Sequence, residues 1–315
     1  MAIKLLHCKQ CGASSFEKIG DVYICPYCGA KYISDVLEIK LKQEKLDLKE
    51  ADALCKMGYY FEKGIGVMPN KTVAYEMYKK SAESEHAYAR NNLGWMKENG
   101  WGTDRDIAGA IDDLEKAAEM GVTLAMVNLG NIYEDGMRTG EPEYDKALYW
   151  YKKAAYLGDI KGAFNYANMY HWGRGCETDY DYAYSLFKWL NELGCDGTDF
   201  YMGLYFQEGL GVEQDYEKAL YYYRRGAEKN DAYCWNQLGS MYGQGQGTAE
   251  DIPKAIECYQ KAAELGDPLG YTNIAWFYET GTGVEADMEK ALRLYSIAAQ
   301  LGDETAKEQL DRIRS

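Results

Sequence analysis

Histidine is nearly absent from the 315 residues, with only His7, His86 and His171. No G-x-S-x-G, H-E-x-x-H or Walker sequence occurs either, so no catalytic constellation assembles on paper. Carboxylates are plentiful, but most fall at helix caps or on helix surfaces, where they are ordinarily solvated. The chain therefore reads as a non-enzyme. No apolar run approaches the roughly 18 residues a membrane span needs, and the amino-terminal "MAIKLLHCKQCG" has too short an apolar core for a signal peptide. A cytoplasmic protein with no membrane partner is expected. Proline is scarce as well, at five residues against thirty tyrosines and thirty-three glycines, a composition that suggests one structural unit used repeatedly.

Basic charge is the last thing in short supply. The formal net charge is −15, and residues 1–33 hold Lys4, Lys9, Lys18 and Lys31 against Glu17 and Asp21, a local +2 that leaves −17 on the rest of the chain. A chain that acidic is a poor general binder of nucleic acid, which is held largely through Lys and Arg at phosphates. Only residues 1–50 keep that partner open.

What is present is a repeat. Glycines recur at Gly64, Gly100, Gly136, Gly173, Gly209, Gly245 and Gly281, with spacings of 36, 36, 37, 36, 36 and 36 residues. Ala74, Ala110, Ala147, Ala183, Ala219, Ala255 and Ala291 keep the same step, as do Gly58, Gly94, Gly130, Ala167, Gly203, Gly239 and Ala275. The extra residue sits in the third copy, within "GMRTGEPEYDKA". Each copy reads as two helices. In the fifth, Thr198, Met202, Gly203 and Phe206 share one face of the first helix, which Gly209 ends. The second helix starts after Asn70, Asp106, Glu143, Asp179, Asp215, Asp251 or Asp287, which suit N-caps, Glu143 least. It ends at glycines such as Gly158, Gly266 and Gly302, where a left-handed residue closes a helix. A loop such as "GLGV" at 209–212 is thus a turn between paired helices, not a phosphate cradle. The glycine inside the first helix costs about 1 kcal/mol relative to alanine, and close helix–helix approach is the expected return.

These columns, best seen in "MGLYFQEGLGVEQDYEKALYYYRRGAEKND" and "YDKALYWYKKAAYLGD", resemble the Sel-one-like repeat family, a branch of the tetratricopeptide superfamily. The resemblance covers about 250 of the 315 residues, with departures at Tyr166-Ala167, Leu114 and "SEH". It implies an all-α, right-handed superhelical solenoid of seven helix pairs over residues 51–303. Residues 304–315 read as a charged capping helix, which points to a monomer.

"HCKQCGASSFEKIGDVYICPYCGAKY" carries a second motif. Cys8 and Cys11 form one C-x-x-C and Cys25 and Cys28 another, with thirteen residues between the pairs. Two such turns gather four thiolates for one structural Zn²⁺, with "SSFEKI" and "DVYICP" as short supporting strands. Residues 1–33 resemble a zinc ribbon. His7 could replace a ligand, but four cysteines suffice. The remaining five cysteines share no column and read as free, mostly buried thiols. Residues 34–50 contain no Gly or Pro, and Asp35 with Glu38 fits a capping box, so a linker helix running into the first repeat is expected.

Subtracting the packing columns leaves positions eight, five and one before each turn glycine, on one stripe of the first helix. The candidate groove residues are Asn92, Trp95, Asn128, Asn131, Asn165, Asn168, Trp172, Tyr201, Gln237, Asn273 and Trp276. Amides and aromatics, unlike the Lys and Glu of a solvated face, can bond a peptide backbone and pack its side chains. In the tetratricopeptide superfamily this helix lines the concave groove. The expected function is an adaptor or scaffold holding a protein or peptide partner there, with the ribbon as accessory module. The alternatives are a nucleic-acid- or transcription-linked factor acting through the basic ribbon, a hydrolase with an unrecognised carboxylate pair, and a stripe that serves only to join neighbouring repeats.

Overall fold

The computed structural model describes residues 17–19, 22–24, 31–33 and 47–314. The cysteine pairs Cys8/Cys11 and Cys25/Cys28 and linker residues 34–46 lie outside them. Strands β1 (Glu17–Ile19), β2 (Val22–Ile24) and β3 (Lys31–Ile33) pair antiparallel in that order, with Lys18 opposite Tyr23 and Tyr23 opposite Tyr32. The first two fall within the segments expected to form strands.

Fifteen helices follow among the described residues, and the chain divides into two compact units, Met1–Gly162 and Ala163–Ser315. In the first unit the pairs are α1 (Leu48–Lys63) with α2 (Lys71–Ala82), α3 (Ala87–Asn99) with α4 (Ile107–Glu119), and α5 (Thr123–Glu134) with α6 (Tyr144–Tyr156). Helix α7 (Ile160–Trp172) contains the boundary. The second unit continues with α8 (Tyr180–Glu192), then α9 (Thr198–Glu208) with α10 (Tyr216–Glu228), α11 (Ala232–Gln244) with α12 (Ile252–Glu264), and α13 (Pro268–Thr280) with α14 (Met288–Gln300). Helix α15 (Glu304–Arg314) ends the chain, its Ala306 and Leu310 buried against α14 and α13.

The punctuation expected from the repeat is present. Asn70, Asp106, Asp179, Asp215, Asp251 and Asp287 each use the side chain to accept a hydrogen bond from the backbone N–H three positions on. Glu143 makes no such bond. Arg138 donates to both its carboxylate oxygens at 2.9 and 2.7 Å and Lys146 donates at 2.5 Å, which holds its pKa down to about 2. The turn glycines are left-handed, as at Gly209, a conformation that glycine enters at no steric cost.

The linker helix expected over residues 34–50 lies mostly outside the described residues, which take it up at Asp47. The backbone of Asp47 is extended, and the residue starts α1 with a reciprocal capping box to Glu50. Helix α1 thus starts just ahead of the first repeat, where the Asp47 and Glu50 side chains accept from each other's backbone N–H.

The core shows why the columns exist. All seven alanines of the Ala column have no exposed surface. Four residues on stands a second buried column, Tyr78, Leu114, Tyr151, Phe187, Tyr223, Tyr259 and Tyr295. Glycines of the first helices lie directly under it. A Cβ placed on Gly130 would fall 2.2 Å from Tyr151 Cε1, on Gly203 2.5 Å from Tyr223 Cε1, on Gly239 2.7 Å from Tyr259 Cε1 and on Gly58 2.8 Å from Tyr78 Cε1. Close approach is therefore the return for the lost propensity, and the partner is the tyrosine ring of the second helix.

Candidate interaction face on the first helices

Buried rings need partners for their hydroxyls, and these come from the first helix. Tyr78 donates to Glu62 Oε2 at 2.9 Å, Tyr151 to Glu134 Oε2 at 2.8 Å, Tyr223 to Gln207 Oε1 at 2.8 Å and Tyr295 to Glu279 Oε2 at 2.8 Å. Each acceptor stands two residues before the turn glycine. Where Leu114 replaces the tyrosine, Glu98 has no such hydroxyl to accept from, and burial followed by the neighbouring Asp135 pushes its pKa up. Where Phe187 replaces it, the acceptor position is His171, whose Nδ1 lies 3.0 Å from the Tyr205 hydroxyl. Burial lowers the pKa of His171. The sequence reading missed this coupling, although acceptor and tyrosine recur together in four copies.

The stripe beside these acceptors is more committed than its composition suggests. In the first unit Asn128 Nδ2 donates to Asn91 Oδ1 at 3.1 Å, across one repeat step, and Asn91, only 2% exposed, donates on to Asn92 Oδ1 at 3.1 Å. Asn131 Oδ1 accepts from the Tyr151 hydroxyl at 2.8 Å. Trp95 packs edge-on against Trp101 at 4.3 Å, with Lys63 Nζ 5.5 Å from its ring. These amides thus hold neighbouring repeats and helices together.

In the second unit Asn273 Nδ2 repeats the cross-repeat bond, donating to Asn236 Oδ1 at 2.8 Å. Asn91 and Asn236 were not singled out from the sequence. Their signal was a common offset to Asn128 and Asn273, one residue longer than the usual repeat step. Tyr201 is stacked on Phe187 at 4.0 Å, and burial raises its pKa. Asn165 and Gln237 are half-buried, and Asn168 carries a buried Oδ1 with no hydrogen-bond partner. Trp172 and Trp276 are different. They are 58% and 47% exposed, each held edge-on by one ring of its own helix, His171 at 4.5 Å and Phe277 at 5.1 Å. Each thus presents one side of a large apolar ring to solvent.

The Sel1 repeat matches residues 51–86, 87–122, 123–159, 160–188, 199–231, 236–267 and 268–303. The chain belongs to the Sel1-repeat family. Among solved structures, this Sel1-repeat chain is similar to c5321, a protective antigen of uropathogenic Escherichia coli strains displaying an SLR fold. The two are 29% identical with a TM-score of 0.65, over 84% of this chain and 56% of that one. The chain thus spans little more than half the length of c5321. A Sel1 repeat protein from Oxalobacter formigenes is 25% identical with the same TM-score of 0.65, over 84% of this chain and 76% of that one. Comparison with curated proteins returned no match.

The Sel1-repeat solenoid is typically a non-enzymatic scaffold, and Sel1-repeat proteins generally act in protein–protein interaction. Among the described residues no helix is long and apolar enough to cross a membrane, and no group of three or more His, Cys, Asp or Glu side chains is placed to hold a metal ion. Cys55, Cys234 and Cys258 are buried free thiols, and Cys176 and Cys195 are partly exposed. Burial pushes the thiols of Cys55 and Cys258 up to about 11, so neither is a nucleophile at neutral pH.

Proposed function

We propose that this Sel1-repeat chain is an adaptor whose first helices hold an extended segment of a partner protein, with Trp172 and Trp276 as the principal anchors. The observation that carries this reading is their exposure on a face where the amides Asn165, Asn168, Gln237 and Asn273 are half-buried. Tryptophan is among the residues that dominate interface energetics, and truncating such an anchor costs about 2 kcal/mol or more. The amides divide by role. Asn128 and Asn273 tie neighbouring repeats, whereas Gln244, in the same unit as the two anchors, is exposed and reaches a ligand without breaking the stack. Replacing both anchors in the variant Trp172→Ala/Trp276→Ala abolishes partner capture while the melting temperature stays close to that of the parent. Loss of folding in that variant, or unchanged capture, refutes the reading.

The amino-terminal cysteines belong to the same proposal as a separate module. Cys8, Cys11, Cys25 and Cys28 are the ligands of one structural Zn²⁺. Their support is the paired C-x-x-C spacing together with the three short antiparallel strands among residues 17–33. Metal analysis of the purified chain should find one zinc per molecule, and none after Cys25→Ser/Cys28→Ser. Zinc retained in that variant assigns the metal elsewhere.

A further inference from the structure

Near the end of each second helix one column holds Glu83, Glu119, Tyr156, Glu192, Glu228, Glu264 and Gln300 in the seven copies. Five are glutamate, and the third copy alone puts an aromatic ring there. Two of the glutamates neutralise a lysine three residues earlier: Lys80 donates to Glu83 at 3.0 Å and Lys261 to Glu264 at 2.7 Å. The third copy keeps that lysine as Lys153, with Lys152 beside it, but Tyr156 has removed the carboxylate. Neither lysine forms an ion pair among the described residues. Lys153 Nζ lies instead 4.6 Å from the ring centre of Tyr149 and 5.0 Å from that of Trp150, and Lys152 Nζ 5.7 Å from that of Tyr156. A ring face attracts a cation but leaves its charge open to a second partner.

Tyr149, Lys152, Lys153 and Tyr156 stand three and four residues apart, so they form one stripe of α6. The stripe is open. Tyr149 is 50% exposed and Tyr156 71%, and beyond them Leu157 is 60% and Ile160, the first residue of α7, 47% exposed. Both lysines and Lys161 are exposed as well. Residues 149–161 hold Lys152, Lys153 and Lys161 against Asp159 alone, a local +2 on a chain of −15. Asp159 already accepts from the Thr123 hydroxyl at 2.7 Å and the Gly162 N–H at 2.9 Å, and Asp145 stands a turn before Tyr149.

We propose that this stripe and the turn after it are a docking surface for a short protein segment that carries acidic side chains beside apolar ones. Its carboxylates meet Lys152 and Lys153, and its apolar side chains lie on Tyr156, Leu157 and Ile160. Charge complementarity selects this occupant. A nucleic acid or an anionic membrane is negative over its whole extent and would meet the acidic remainder of the chain as well as the patch. A short acidic segment meets the patch alone. The surface lies on a second helix in the first unit, whereas Trp172 and Trp276 lie on first helices in the second, so the two sites stand or fall separately.

The test compares the full-length chain with Tyr156→Glu and with Lys152→Ser/Lys153→Ser. The first variant supplies the residue that five other copies carry, and both alter exposed side chains, so both should melt with the parent. A random peptide library displayed on phage is selected against each protein. Peptides retained by all three, including those held through the tryptophans, drop out of the comparison. Peptides held by the parent and lost by both variants are expected to be enriched several-fold in Asp and Glu, with apolar residues among them. In fluorescence anisotropy, synthetic copies should bind the parent several-fold more weakly as salt rises. A library that yields no peptide distinguishing parent from variants overturns the inference, as does a distinguishing set without acidic bias. Oligo(dT) or phosphatidylserine vesicles bound by the parent and lost by both variants, in place of acidic peptides, assign the surface to nucleic acid or membrane and also overturn it.

Discussion

The substitution Gly130→Ala sets two effects of opposite sign against each other. Alanine is the better helix former, by about 1 kcal/mol in a helix interior, and Gly130 lies well inside α5. If helix propensity decided the outcome, the variant would be more stable. The added Cβ, however, falls 2.2 Å from Cε1, 2.5 Å from Cδ1 and 2.7 Å from Cζ of Tyr151. An ordinary carbon–carbon contact is about 3.5–4.0 Å, so the ring must retreat a long way. It has nowhere to go. Tyr151 has no exposed surface, and its hydroxyl is anchored to both Asn131 Oδ1 and Glu134 Oε2 at 2.8 Å. Overpacking of this kind costs about 1–3 kcal/mol, and displacing the ring also strains two hydrogen bonds. The steric effect and the strained hydroxyl contacts together win, for a net loss of up to about 2 kcal/mol. Urea denaturation followed by circular dichroism measures it, with Gly58→Ala, where the approach is 2.8 Å, as a milder comparison. A Gly130→Ala variant as stable as the parent, or more so, would refute close packing as the reason for the glycine column.

Three further outcomes are expected. Asn128→Ala removes the amide from which buried Asn91 Oδ1 accepts, so it lowers stability by about 1–3 kcal/mol in denaturant titration. Asn99→Ala, an exposed member of the same stripe, leaves stability nearly unchanged, as surface substitutions usually do; equal effects would place both amides in one role. Burial lowers the pKa of His171, so below the ordinary histidine pKa the folded chain binds fewer protons there than the unfolded chain does. Its contribution is therefore intact above that pH and is lost as the pH falls toward the folded value, with a slope of up to about 1.4 kcal/mol per pH unit. His171→Phe should flatten that part of the stability–pH curve, and an unchanged slope would move its origin to another group. Zinc content before and after Cys25→Ser/Cys28→Ser completes the set, with one metal per chain expected only in the parent.

Most of the fold was legible because a repeat reports the same physics several times. One aspartate before a helix is ambiguous, but six caps at a fixed step with Glu143 as the weak member are not, and the structure reproduces both the rule and its exception. The glycine column reads from sequence as close approach. Its partner does not, because the tyrosine that fills the space lies on the other helix of the pair, beyond the turn. The candidate face was only half legible. Composition marked Asn128, Asn131 and Asn273 as free to bind, yet they hold Asn91, Tyr151 and Asn236. An amide that ties repeats together and one that waits for a ligand have the same letter and the same spacing. Exposure separates them, and exposure picks out Trp172 and Trp276.

The central claim is that the first helices of the repeats hold a protein partner through exposed tryptophans. Its most direct test is a crosslinked pull-down in native lysate, comparing the parent with Trp172→Ala/Trp276→Ala after both have been shown to melt alike. A protein recovered by the parent and lost by the variant, then rebinding as a purified component only to the parent, is the predicted result. Equal recovery of every partner by the two proteins would contradict the claim and move recognition off this face.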